Sequence, residues 1–348
     1  MRAVLLTGFG GPEKLEYRED VPAPQAGPGE VRIRVAAAAI NNTDIWTREG
    51  AYGTPDDPAD TAGWRREPLA FPRIQGADVV GRIDQVGPGV PSSRLGERVI
   101  VDPMLYTGGE RELVDTEYLG SERDGGFAEH TTVPAGNAHA VESPLSDTEL
   151  ATFPTAYATA MRMLNRAQVR DGETVVVTGA SGGVGSALIQ LATSRGARVI
   201  AVTSAAKREQ ALQLGAHATV DRDSPDLHAA VLAEAGPVDV VADVVAGPAF
   251  AQLLRMLAPL GRYVVAGGIA GPLVETDLRT VYLRQLQLIG SSFGTHEDFA
   301  QLIGHIERGE LTPLLAGTHP LRELREAQRA FTAKNFFGKL VITVEEAA

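Results

Sequence analysis

Cysteine is absent from this 348-residue chain. Disulfides, thiol nucleophiles, iron–sulfur clusters and cysteine-ligated zinc are thereby excluded. Aromatic residues are scarce at 5%, and no stretch approaches the ~20 apolar residues of a membrane helix. Cations are outnumbered as well, with 32 Lys and Arg against 44 Asp and Glu and a net charge of −12. An acidic surface of this kind repels phosphate backbones, so nucleic acid is not an expected partner. A local basic cleft for a phosphorylated cofactor remains compatible with it. The segment from Met1 to Gly11 is too short in its apolar run for a signal peptide and has no cleavage signature. A cytoplasmic protein with no membrane attachment is expected.

Glycine, by contrast, is plentiful at 38 residues, and the length suits about two domains. The first ~125 residues read as β-rich. Val31-Arg32-Ile33-Arg34-Val35 alternates apolar and charged residues at period two, the pattern of a half-buried strand. Val79–Ile83 and Arg98–Val101 are further short strands, separated by turn signals such as Gly87-Pro88-Gly89. Residues 54–69 read as a long polar loop. Beyond about residue 150 the rhythm changes. Thr174–Thr178, Val199–Thr203, Val238–Val245 and Arg262–Ala266 are β-branched runs, alternating with helical stretches at Ser186–Arg195, Lys207–Leu214 and Ala249–Leu257. Repeated βαβ units imply a doubly wound parallel sheet, with Leu286–Phe293 as its sixth strand. A helix around His296–Arg308 and an edge strand at Lys339–Val344 are expected to close the chain.

The most informative stretch runs from Thr174 to Ser186, a strand, then Gly179-Ala180-Ser181-Gly182-Gly183-Val184-Gly185, then a helix. Gly182 and Gly183 let the backbone approach a pyrophosphate, whose charge meets the amides of the helix start. Gly185 permits close packing of helix on strand. The end of the following strand selects the dinucleotide. An NAD site carries an Asp or Glu there for the ribose 2′-hydroxyl. This chain reads Val202-Thr203-Ser204-Ala205-Ala206-Lys207-Arg208, with no acid, one hydroxyl and two cations. A 2′-phosphate is favoured by that set, and NADPH is the expected cofactor.

With both halves in view, the chain resembles the medium-chain dehydrogenase/reductase superfamily along essentially its full length. The features that carry the resemblance are the glycine loop, Asn41-Asn42-Thr43-Asp44, the run from Pro72 through Gly76-Ala77-Asp78 to Gly81, Gly125-Gly126-Phe127-Ala128-Glu129, and Phe337-Gly338-Lys339. The resemblance implies an α/β protein, a GroES-like β-barrel catalytic domain from residues 1–150 and 295–348 plus a Rossmann domain over 151–294, with the active site in the cleft. It also implies where zinc ligands would stand in the alcohol dehydrogenase branch. Those positions hold Asn41, Ala77 and, near the third, Ala151, and the lobe around 103–123 has no cysteine. No metal is expected. The zinc-free quinone oxidoreductases and enoyl reductases are the similar branch, through Asn41-x-x-Asp44 and Gly50-Ala51-Tyr52.

On that resemblance Tyr52 would donate a proton, Asn41 would hydrogen-bond a carbonyl or the nicotinamide ribose, and Asp44 would orient its neighbours. Thr155 would approach the nicotinamide, and Val245, Gly267, Gly268 and Ile269 would line it with its ribose. Ser292, Phe293 and Gly294 would meet its edge, and Lys339 would contact cofactor phosphate or ribose. Trp46, Trp64, Arg65, Arg66 and Phe71 are candidates for lining the acceptor pocket. The expected activity is hydride transfer to a quinone, enone or enoyl compound. Two other readings stay open: an alcohol or aldehyde dehydrogenase, and a cofactor-binding protein of crystallin-like or regulatory role with little turnover. The strand near 286–293 would be an apolar sheet edge, which members of this superfamily commonly join across a two-fold axis, so a homodimer is expected.

Overall fold

A computed structural model describes residues 1–52, 69–109 and 111–344. The chain divides into two compact units. One comprises Met1–Thr155, Thr295–Gly309 and Pro313–Ala348, and the other Ala156–Gly294 with Glu310–Thr312.

The first unit is built around the ten-residue strand Glu30–Ala39. Its period-two pattern does what the residues dictate: Val31, Ile33 and Val35 are fully buried while Arg34 is exposed. The strand pairs antiparallel with Asp78–Val86 on one side and with Lys339–Thr343 on the other, and over its first half with His130–Pro134. The sheet continues through Arg98–Val101 to Ala138–Ala140. One expectation is corrected here. Lys339–Thr343 is not an edge strand, because Leu315–Pro320 pairs with it in parallel and takes the edge instead. A separate antiparallel sheet joins Ala3–Leu6 with Leu15–Arg18 and Arg73–Ile74.

The lobe after Val101 folds onto this unit by polar contacts. Asp102 is buried and sets Oδ2 2.6 Å from Nδ1 of His296, while the Tyr106 ring stacks on the same imidazole at 4.2 Å between centroids. Within the lobe, Met104–Leu105 pairs with Glu117–Tyr118.

The second unit is a six-stranded, all-parallel sheet. From edge to edge its strands are Ala218–Asp221, Arg198–Thr203, Thr174–Val177, Val238–Asp243, Leu257–Val265 and Gln287–Gly290. The order is 3-2-1-4-5-6, the doubly wound arrangement with mononucleotide-binding halves. Val176, Ile200 and Val241 are fully buried in its core, as continuous apolar strands covered on both faces must be. The sixth strand is shorter than its sequence pattern, because the backbone leaves the ladder at Ser291 and Phe293 turns to a φ of +60°. Among the described residues no helix is long and apolar enough to cross a membrane.

Candidate active site and dinucleotide loop

The helix Asn42–Glu49 begins directly after the central strand, and its start assembles the polar centre of the first unit. Asp44, in the first turn, reaches back so that Oδ2 accepts from the Asn41 amide at 2.7 Å. That contact is the reciprocal half of a capping box. Oδ1 of Asp44 also accepts from the Gly76 amide at 3.3 Å, and its carbonyl accepts from the Gln75 side chain at 2.8 Å. The carboxyl is buried, and burial pushes it up to about 7 against the opposing pull of the Asn41 amide. Asp44 therefore ties two segments of chain together.

Lys339 lies 5% exposed and donates to Asp78 Oδ2 at 2.7 Å and to Asn41 Oδ1 at 2.5 Å. Gly338 makes the placement feasible: its φ is +95°, and a Cβ there would stand 2.3 Å from the Leu314 carbonyl. The ammonium is thus engaged with Asn41 and Asp78 in the barrel unit. Contact with Lys339 also fixes the Asn41 amide, since only its oxygen can face an ammonium. Nδ2 is consequently turned away, and it is a buried donor with no protein partner.

Asp78 has a second task. Its Oδ1 accepts from the Thr155 amide at 2.8 Å, at the start of helix Pro154–Arg166, where a carboxylate is favoured by the unpaired amides. The Thr155 hydroxyl is 2.9 Å from the hydroxyl of Tyr118. Burial, then the charge of Asp78, raises the Tyr118 phenol well above its ordinary range, and Tyr52 also lies within its electrostatic reach. Tyr52 is half-buried, with its ring 6.0 Å from that of Trp46 in an edge-on arrangement. Asn41, Asp44, Thr155 and Lys339 thus share one connected network with Asp78 and Tyr118, which sequence reasoning had not singled out. Asp78 was visible in Gly76-Ala77-Asp78, but nothing in the sequence marked Tyr118. Trp64, Arg65 and Arg66 lie outside the described residues.

In the second unit the parallel strands bring the other candidates to one edge, at their carboxyl ends. Ala180 donates to the Val202 carbonyl at 3.3 Å, and a Cβ on Gly179 would meet Val244 at 2.9 Å and Val245 at 3.2 Å. Ala270 donates to the Val245 carbonyl at 2.9 Å, which sets Gly267, Gly268 and Ile269 beside it. Ser291 continues the row by donating to Val265 at 2.8 Å, with Ser292, Phe293 and Gly294 following. Buried Asp243 orders the turn, accepting from the Thr178 and Tyr263 hydroxyls and from the Val245 amide at 2.8 Å. That anchor was also missed, because Asp243 reads as the polar end of a strand.

A dinucleotide pyrophosphate fits this loop. The 12-residue helix Gly183–Ser194 has Gly182 as its N-cap, with no side chain capping the first-turn amides. A Cβ at Gly182 would meet only the Gly179 carbonyl, at 3.4 Å, so no protein atom crowds that approach. At Gly185 a Cβ would come within 2.2 Å of the same carbonyl, so the turn closes only on glycine there. At the end of strand Arg198–Thr203, Ser204 and Lys207 are half-buried. Burial, then the charge of Arg222, lowers the Lys207 ammonium. Arg208, counted among the cations of this cluster on sequence, donates to Thr219 Oγ1 at 2.9 Å. Arg222 is the second cation near Lys207.

Comparison with known proteins agrees with this architecture. Two family models match, an alcohol dehydrogenase GroES-like domain over residues 27–143 and a zinc-binding dehydrogenase domain over 183–308. An acryloyl-coenzyme A reductase from Metallosphaera sedula is 32% identical over 99% of this chain and 100% of its own length. A quinone oxidoreductase from Rattus norvegicus is 29% identical, covering 98% and 97%. A solved structure from Sinorhizobium meliloti 1021, provisionally named an alcohol dehydrogenase, superposes with a TM-score of 0.94 at 55% identity, covering 99% and 97%. The chain belongs to the medium-chain dehydrogenase/reductase superfamily. It is an oxidoreductase of that superfamily, a class that works with nicotinamide cofactors.

Proposed function

We propose that the chain is a zinc-independent, NADPH-dependent reductase of small activated acceptors, namely quinones, enones or enoyl thioesters. The observation that carries the reading is the chemistry at the three positions where metal ligands would stand. Ala77 and Ala151 have no donor atom, and the one acceptor of the Asn41 side chain is engaged by the Lys339 ammonium. Without a Lewis acid, a simple ketone or alcohol is poorly activated. A conjugated carbonyl needs less, because addition at the β-carbon leaves a delocalised enolate that hydrogen-bond donors and a proton source can stabilise. When bound, NADPH supplies the hydride. Tyr52 supplies the proton, Asn41 offers its amide as a donor held in orientation by Lys339, and Asp44 holds Asn41 to the segment at Gly76.

The choice of NADPH rests on the missing acid at the second strand and on Ser204, Lys207 and Arg222. Burial, then the charge of Arg222, lowers the Lys207 ammonium, and an anion bound beside Lys207 would relieve that repulsion. A homodimer is supported by the exposed sheet edge. Leu288 on the edge strand is 48% exposed, and Tyr282 and Leu283 beside it are 62% and 69% exposed. A second copy covers such an edge most simply by isologous pairing. Light scattering should give twice the 36.8 kDa chain mass.

The reaction is tested by NADPH oxidation against methyl vinyl ketone, 1,4-naphthoquinone, crotonyl-coenzyme A and simple aldehydes, with and without a chelator. Turnover of one conjugated class, unaffected by chelation, is expected. Aldehyde reduction that chelation abolishes, with stoichiometric metal by elemental analysis, would overturn the reading in favour of an alcohol dehydrogenase.

A further inference from the structure

Tyr118 is 2% exposed, in a lobe strand that no functional motif reaches, yet its hydroxyl contacts Thr155 at 2.9 Å. Thr155 is held twice, by this contact and by its backbone amide on Asp78, and its residue remains half-exposed. A residue anchored through its backbone at one point and through its hydroxyl at another, while still partly open, is preorganised for a ligand.

The direction of the hydroxyl pair follows from acidity. A phenol is a far stronger proton donor than an aliphatic alcohol. Here burial, then the charge of Asp78, raises that phenol well above its ordinary range against the pull of the Thr155 contact, so it stays neutral and able to donate. With Tyr118 as the donor of the pair, Thr155 Oγ1 accepts and the threonine proton is left for a ligand. A donor that itself accepts a hydrogen bond is polarised and strengthened by it.

We propose that Tyr118 is a positioning residue that holds the Thr155 hydroxyl as a hydrogen-bond donor to an sp² carbonyl oxygen, either that of the conjugated acceptor or that of the nicotinamide carboxamide. The assignment rests on the reductase reading above. It adds that the lobe, through Tyr118, takes part in binding.

Three variants test it: Tyr118→Phe, Thr155→Val and the two combined, with Thr155→Ser as the rescue that retains the hydroxyl. NADPH affinity is read by cofactor fluorescence, and kcat and KM with 1,4-naphthoquinone and crotonyl-coenzyme A. Loss of the Thr155 hydroxyl should cost about 3–10-fold, the size of one neutral hydrogen bond. Tyr118→Phe should produce a smaller loss in the same parameter, and the double variant should be no worse than Thr155→Val. Thr155→Ser should lie within about 3-fold of wild type, again the scale of a fraction of one hydrogen bond.

A loss confined to NADPH affinity assigns the carboxamide as acceptor, and a loss confined to kcat/KM assigns the substrate carbonyl. Additive losses in the double variant would overturn the proposal, because independent packing defects add whereas a relay does not. Tyr118→Phe with wild-type affinity and kinetics would overturn it equally. Failure of the reductase reading itself would appear separately, as wild-type protein that binds NADPH and reduces no conjugated acceptor. In that case the fluorescence series still decides the carboxamide assignment.

Discussion

Replacing Lys339 by methionine removes the ammonium at the polar centre of the barrel unit. Methionine retains a flexible apolar stem and removes the ammonium. Asp78, fully buried, then loses the partner of Oδ2, and Asn41 Oδ1 loses its donor. Removing one member of a buried ion pair costs about 3–5 kcal/mol. The Thr155 amide still satisfies the other oxygen of Asp78, which places the expectation near the lower limit, about 3 kcal/mol. With a slope of about 2 kcal/mol per M, the urea midpoint should fall by about 1.5 M. Trp46 belongs to the barrel unit, so its indole fluorescence follows the unfolding of that unit.

A second variant, Asp78→Asn with Lys339→Met, removes both charges and keeps an acceptor for the Thr155 amide. It should recover at least half of the loss, because the penalty arises from the uncompensated carboxylate more than from the missing attraction. A single variant whose midpoint stays within about 0.3 M of wild type, the scale of a neutral surface change, would refute the buried pair. So would a double variant as unstable as the sum of its two single changes.

Lys207→Ala and Arg222→Ala should each weaken NADPH by about 10–100-fold, the range for one charge-assisted hydrogen bond. NADH affinity should stay constant, and fluorescence titration of both cofactors decides. Tyr52→Phe should lower kcat by about 10²-fold, at the low end for general acid catalysis, with NADPH affinity preserved. An unchanged kcat would leave solvent as the proton source. Asp44 gives a pH dependence of stability. Its folded carboxyl titrates at about 7 because it is buried, whereas an unfolded one titrates near about 4. The folded chain holds that proton longer, so this group's contribution falls as pH rises from about 4 to about 7 and is level above it. Urea midpoints compared between wild type and Asp44→Asn at pH 5, 6 and 8 should show a steeper fall in wild type than in the variant.

The two-part α/β fold was legible in the residues because its signals are local. Period-two alternation at Val31–Val35 can only bury one face, and the βαβ rhythm after residue 150 can only wind one way onto a parallel sheet. The glycine loop was equally plain, since Gly185 is demanded by a contact six residues back in the same turn. Local signals say nothing of partners distant in the chain. The edge assigned to Lys339–Thr343 was wrong because Leu315–Pro320, weak in strand pattern, covers it. Arg208 reads on sequence as a free cation beside Lys207, and only strand Ala218–Asp221 shows that Thr219 accepts from it.

The sequence by itself determined the elements, the pyrophosphate loop and the absence of thiol ligands, each readable within a dozen residues of chain. Tertiary structure alone decided that Lys339 meets Asn41 and Asp78, 298 and 261 residues away, and that Tyr118 meets Thr155, 37 residues on. A side chain's charge and hydrogen-bonding capacity are written in the sequence. Which of its possible partners it meets, and whether water is kept from that meeting, is fixed only when the packed sheets bring distant segments within 3 Å.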